Sequence, residues 1–240
     1  MNGVLYTAGS ITAATILGSV LGCLLTDLQH KTYHFILSFA AGIMLCAAIQ
    51  GLLLPALEET SVALTCSGIG LGAGGLFLMN CVAARLLRVE QESSRLQGMM
   101  FVFAIAIHHL PEGLAAGVSF GTGETAETVS VCAAIALQNI PEAMMIMPVM
   151  SEYGWKKAIL AATASGFVEI CGLALGYVAV QLATQILPFM LAFAAGAMVY
   201  VIFENMLPDS YESGDHQTTA GIMLGYCGML LLTDGITLLL

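Results

Sequence analysis

The stretch "HHLPEG" (108–113) sets two histidines, a proline and a glutamate inside an otherwise apolar run, and thirty residues later "QNIPEA" (138–143) repeats its pattern. Both read [H/Q]-[H/N]-x-P-E-[small]. A carboxylate at mid-bilayer costs on the order of 3 kcal/mol on insertion scales, so placing such groups in two adjacent apolar segments calls for an explanation.

The surroundings leave no doubt that these segments belong in lipid. The 240 residues are 58% hydrophobic and only 9% charged, where a soluble domain carries about 25% charged residues. A membrane-spanning helix needs about 20 apolar residues, and the hydrophobic stretches are of that length with short polar breaks between them. The chain is expected to be an all-α membrane protein with eight transmembrane helices, over 4–25, 33–57, 62–87, 98–121, 127–150, 157–181, 184–207 and 218–240. A single polytopic domain then fills residues 1–240. The first stretch lacks a basic lead-in and is too long for a cleaved signal core, so it is expected to stay as helix 1. Strands of a β-barrel would be about ten residues long and alternating, which these are not.

The seven cysteines are odd in number, dispersed and never paired as C-x-x-C, which argues for neither a disulfide framework nor a thiolate metal site. The six basic residues, Lys31, Arg85, Arg88, Arg95, Lys156 and Lys157, all fall at odd-numbered connections. By the positive-inside rule that side is cytoplasmic and both termini are outside. The net charge of −10 weighs against nucleic acid as a partner. Short loops point to a cytoplasmic (inner) cell membrane.

Three further pairs of segments resemble one another in the same order. They are "AATILGSVLGC" (13–23) with "AATASGFVEIC" (161–171), "FAAGIM" (39–44) with "FAAGAM" (193–198), and "GIGLGAGGLFL" (68–78) with "GIMLGYCGMLL" (221–231). Each partner lies five helices from its mate, an odd number, so the two triplets cross the membrane in opposite directions. The expected architecture is 3+2+3, an inverted repeat of helices 1–3 and 6–8 around helices 4–5, as in many secondary transporters.

Helical spacing sets His108 above Glu112 and Gln138 above Glu142 at i, i+4, with His109 and Asn139 bordering the same faces. Pro111 and Pro141 each remove a backbone donor, leaving a carbonyl four residues earlier without its usual partner. The spans also hold Glu169 and Glu204, with no deep Lys or Arg to pair with any of the four glutamates. A bound cation resolves that burial most simply; hydrogen-bonded carboxyls in helix packing are the plain alternative, and His109 could instead serve as a partner of Glu169. Imidazole, amide and carboxylate together suit zinc, iron or manganese better than calcium, which prefers all-oxygen cages. The methionines of "AMMIMPVM" (143–150) face all round the helix and read as packing.

With "GFVEICG" (166–172) and "FENMLPDS" (203–210), the paired Pro-Glu motifs make the whole chain resemble the ZRT/IRT-like (ZIP) divalent metal transporters of the short prokaryotic type. The resemblance implies a binuclear site between helices 4, 5 and 6. His108, Glu112, Gln138 and Glu142 would form one metal site; His109, Asn139 and Glu169, bridged by Glu112 and Glu142, would form the other. The family usually carries Asn where this chain has His109, and His-Glu where it has Phe203-Glu204. Glu204 is then a path ligand and Gln50, its counterpart in the repeat, a path residue. The resemblance further implies a homodimer, and helices 1, 4, 5 and 6 sliding as an elevator against helices 2, 3, 7 and 8. The metal, Zn2+ or else Fe2+, Mn2+ or Cd2+, is cargo, and no catalytic cofactor is expected. Two other classes fit less well. An intramembrane metallohydrolase commonly uses H-E-x-x-H or separated histidines, and two imidazoles and an amide pair argue against a cation/proton exchanger of another family, such as one for calcium.

Overall fold

A computed structural model describes residues 2–24, 30–86, 109–150, 154–182, 184–211 and 217–239. The expected site residue His108, the basic residues Arg88 and Arg95, and the loop residues Glu212, Asp215 and His216 lie outside the described residues. Among the described residues the chain is helical and without strands. The helices are α1 (Asn2–Leu24), α2 (His30–Glu59), α3 (Val62–Leu86), α4 (109–119), α5 (Thr125–Met150), α6 (Trp155–Leu182), α7 (Leu187–Tyr211, entered by a 3-10 turn at Thr184–Ile186) and α8 (Gln217–Leu239). Their positions follow the hydropathy of the sequence, and six of them are long and apolar enough to cross a membrane. The chain is a multi-pass membrane protein. α4 is described over 109–119 alone.

Glycines decide which helices touch. A Cβ added at Gly113 would overlap the carbonyl of Glu169, and one at Gly117 the carbonyl of Leu173; in return, Gly172 and Gly176 leave no room for a Cβ against Leu110 and Leu114. Two G-x-x-x-G ridges, Gly113/Gly117 on α4 and Gly172/Gly176 on α6, therefore lie backbone to backbone. Without water to drive helices together in lipid, such close approach supplies the van der Waals contact that holds them. Gly18 of α1 meets the carbonyl of Ile140 on α5 in the same way, and the Thr7 hydroxyl of α1 donates to the Cys132 sulfur of α5 at 3.4 Å.

On the other side of the molecule α2 pairs with α8 and α3 with α7. Gly42 abuts the carbonyl of Ile222 and Gly225 that of Phe39, while Gly196 abuts the carbonyl of Ile69 and Gly72 that of Phe193. From Gly221 to Gly225 the α8 contact moves from Phe35 to Phe39, and from Gly68 to Gly72 the α3 contact moves from Phe189 to Phe193; as in the other two pairs, contacts climb together along both helices, so each pair is parallel. Helix α5 also leans on α2 and α8, with α2 packed at Gly51 against Val131.

Two helices depart from α geometry at positions that no motif marks as irregular. α2 contains a π-helical segment at Ala47–Leu53 and α7 another at Ile202–Met206. Gln50 and Glu204 lie in them, each six residues beyond the methionine of its FAAG-x-Met segment. Such turns insert an extra residue and recur at functional positions. The prolines behave more quietly than their chemistry alone suggests: α5 runs without a break through Pro141, so the effect of that residue is confined to its missing N–H.

Candidate metal centre

The contact between α4 and α6 brings the two helices' carboxylates together. Glu112 precedes Gly113, and Glu169 supplies the very carbonyl that Gly113 abuts. Between them stands His109, one turn before Glu112. Its Nδ1 lies 3.0 Å from Glu112 Oε2 and 3.4 Å from Glu169 Oε2. The two alternatives for His109, ligand or partner of Glu169, thus divide between its two ring nitrogens: Nδ1 faces the carboxylates while Nε2 has no hydrogen-bond partner.

α5 closes the cluster from the third side. Gln138 Nε2 donates to Glu112 Oε1 at 2.7 Å, and Asn139 Nδ2 donates to Glu169 Oε2 at 2.7 Å. Each amide spends its donor on a carboxylate of another helix and leaves its oxygen over. Among the described residues, Gln138 Oε1, Asn139 Oδ1 and Glu169 Oε1 join His109 Nε2 as buried atoms with no hydrogen-bond partner. Buried polar atoms are satisfied in the large majority of cases, so four on facing helices call for a missing partner. All four can act as lone-pair donors, which a water, proton donor or cation would satisfy; a cation alone also balances the acidic charge.

His109, Glu112, Gln138, Asn139 and Glu169 are essentially inaccessible, and Glu142, the sixth member, is 7% exposed. Glu142 sits one turn beyond Gln138 on the same helix. Atoms of His109, Glu112 and Glu169 lie within 4.8 Å of one another, a spacing that could hold one metal ion. The only ion-pair partner of Glu112 and Glu169 among the described residues is His109.

Glu204 stands apart. It is exposed, in the π segment of α7, and Gln50 is half-buried in that of α2; neither joins the cluster of Glu112 and Glu169. The residues missed by motif reading are Gly113 and Gly117, whose signal was the G-x-x-x-G spacing in "EGLAAG" (112–117) immediately after the glutamate.

Comparison with known proteins identifies the family. The family model for the ZIP zinc transporter matches residues 87–233. The chain belongs to the ZIP family. The zinc transporter ZIPB of Bordetella bronchiseptica is 32% identical over 241 residues, covering 92% of this chain and 77% of that protein. The zinc transporter ZupT of Chlorobaculum parvum is 29% identical, covering 95% and 94%. The zinc transporter GufA of Myxococcus xanthus is 39% identical over 137 residues, covering 56% of this chain and 54% of its own length. These ZIP relatives are transporters and not enzymes, which removes the metallohydrolase reading.

Proposed function

We propose that this ZIP protein is a secondary transporter that carries zinc, and with it iron, manganese or cadmium, into the cytoplasm through the α4–α5–α6 cluster. One observation carries the reading: four buried lone-pair atoms, on His109, Gln138, Asn139 and Glu169, lack partners among the described residues, around carboxylates whose only ion-pair partner among those residues is His109. Their mixed nitrogen and oxygen character favours a borderline divalent ion. In this reading Glu112 and Glu142 bridge two metal positions, His108 completes the first, and Gln50 and Glu204 serve the path.

An inverted repeat around α4 and α5 accounts for the helix contacts. Under it Phe39 corresponds to Phe193, Gly42 to Gly196, Ile69 to Ile222 and Gly72 to Gly225, and the α2/α8 contacts between these residues reappear in α3/α7. The repeat also exchanges the α1/α5 pair with α4/α6. Residues 1–240 then form one transport unit, in which α1, α4, α5 and α6 slide against α2, α3, α7 and α8. A homodimer would cover part of the apolar faces that α3 and α8 expose.

Zinc uptake into proteoliposomes tests the assignment. Wild type should accumulate zinc and Glu142→Ala should fall to the level of empty vesicles; equal accumulation in both would sink the site. Orientation is a separate matter. With both termini outside the cytoplasmic (inner) membrane and the basic connections inside, a cysteine at Arg88→Cys should resist a membrane-impermeant thiol reagent in intact cells, with the native cysteines replaced, and react after permeabilisation. Labelling in intact cells would reverse the topology.

A further inference from the structure

A cavity of about 280 Å3 opens where α5 leans on the α2/α8 pair. Its walls are Phe39, Ile43, Leu137, Met229 and Leu232, with Gly228 at its side and no charged residue among them. A glycine on α8 leaves room at the cavity's edge. At Gly225 a Cβ would overlap the carbonyl of Phe39, whereas at Gly228, one turn on, a Cβ meets nothing within 4 Å.

An apolar cavity of roughly 150 Å3 stays dry and admits a benzene-sized molecule, so this one has room for a longer hydrocarbon. Its depth identifies which. Gly228 and Met229 are at the middle of α8, and Leu137 is at the middle of α5 beside the site residue Gln138. At that level the medium around a spanning helix is hydrocarbon. Leu137 is 42% exposed, which sets it at the mouth, open to the bilayer, while Met229 is buried at the floor. An unfilled void forfeits dispersion contacts along its whole lining; a lipid tail restores them without bringing a polar group to that depth.

We propose that this seam binds an acyl chain of a membrane lipid, which packs between α5 and the α2/α8 pair at the level of the site. Because α5 carries Gln138, Asn139 and Glu142, the chain occupies the surface across which those residues must move if α5 shifts relative to α2 and α8.

The test uses the full chain in phosphatidylcholine vesicles doped with a phosphatidylcholine whose acyl chain bears a mid-chain diazirine, followed by photolysis and peptide mass spectrometry. Adducts are expected at Leu137, Leu232 and Phe39. They should be lost in Gly228→Leu, whose side chain fills the space, and kept in Gly70→Leu, where a Cβ also meets nothing within 4 Å but on α3, away from the seam. Leu232→Phe, which narrows the cavity from its wall, should likewise lose them, so the result does not depend on one variant folding. Adducts unchanged in both fillers would overturn the proposal. So would adducts no more frequent than at outward Leu231, or efficient crosslinking between two copies through Leu137→Cys, which would place a second chain in the seam.

Discussion

Glu112→Ala is expected to lower zinc affinity by about 100-fold or more, since even the supporting partners of metal ligands are worth about 10- to 100-fold. The size follows from the position of Glu112 in the cluster. Oε1 accepts from Gln138 of α5 and Oε2 faces His109, so one carboxylate ties two of the three site helices and supplies the charge on which the cation depends. Alanine removes the charge and leaves a buried amide donor without its acceptor, a defect costing roughly 1–3 kcal/mol. Glu112→Gln separates the two effects. It keeps the volume and an acceptor oxygen, so the fold should melt close to wild type while zinc binding is still lost. Calorimetric titration of the purified protein, read beside its melting temperature in detergent, checks both; zinc affinity within about twofold of wild type for either variant would remove Glu112 from the ligand set.

Gly113→Val is the second large effect, and it acts through packing. The added Cβ would overlap the carbonyl of Glu169, and because the neighbouring atom is backbone, only a shift of α4 away from α6 relieves it. Overpacking of this kind costs typically about 1–3 kcal/mol, occasionally more. That shift also separates Glu112 from Glu169. The variant should melt well below wild type and lose the stabilisation that zinc gives, whereas Gly74→Ala, at a position where a Cβ meets nothing within 4 Å, should change neither. A Gly113→Val protein with wild-type melting and zinc response would show that the close α4/α6 contact is not what assembles the site.

Much of this was legible in the order of residues because the bilayer is a severe solvent. An apolar stretch of the right length has few options there other than a helix, and the helices follow the hydropathy closely. Polar residues inside those stretches stand out for the same reason, and the Pro-Glu pairs marked α4 and α5 as the candidate site helices. The glycine ridge of α4 was less visible, since Gly113 and Gly117 serve a contact with a helix more than fifty residues away. The π turns were hidden altogether. Glu204 stands out as a carboxylate inside a span and Gln50 by alignment with it, but nothing in "AAIQGLL" (47–53) or "IFENM" (202–206) announces an inserted residue, because the choice between α and π hydrogen bonding rests on the packing around the turn.

By itself, then, the sequence determined that this is a helical membrane protein of the ZIP type, which residues can ligate a metal, and which segments repeat. Those properties are local: they depend on the length of apolar runs, on side-chain chemistry and on spacing within one helix. Only the tertiary structure decided that His109 turns Nδ1 to two carboxylates and leaves Nε2 over, that Gln138 and Asn139 bind glutamates on different helices, that Glu204 stays outside the cluster, and that a hydrocarbon-sized gap persists beside Leu137. Each of these depends on how closely two helices approach, and that distance is set by the atoms of both partners together.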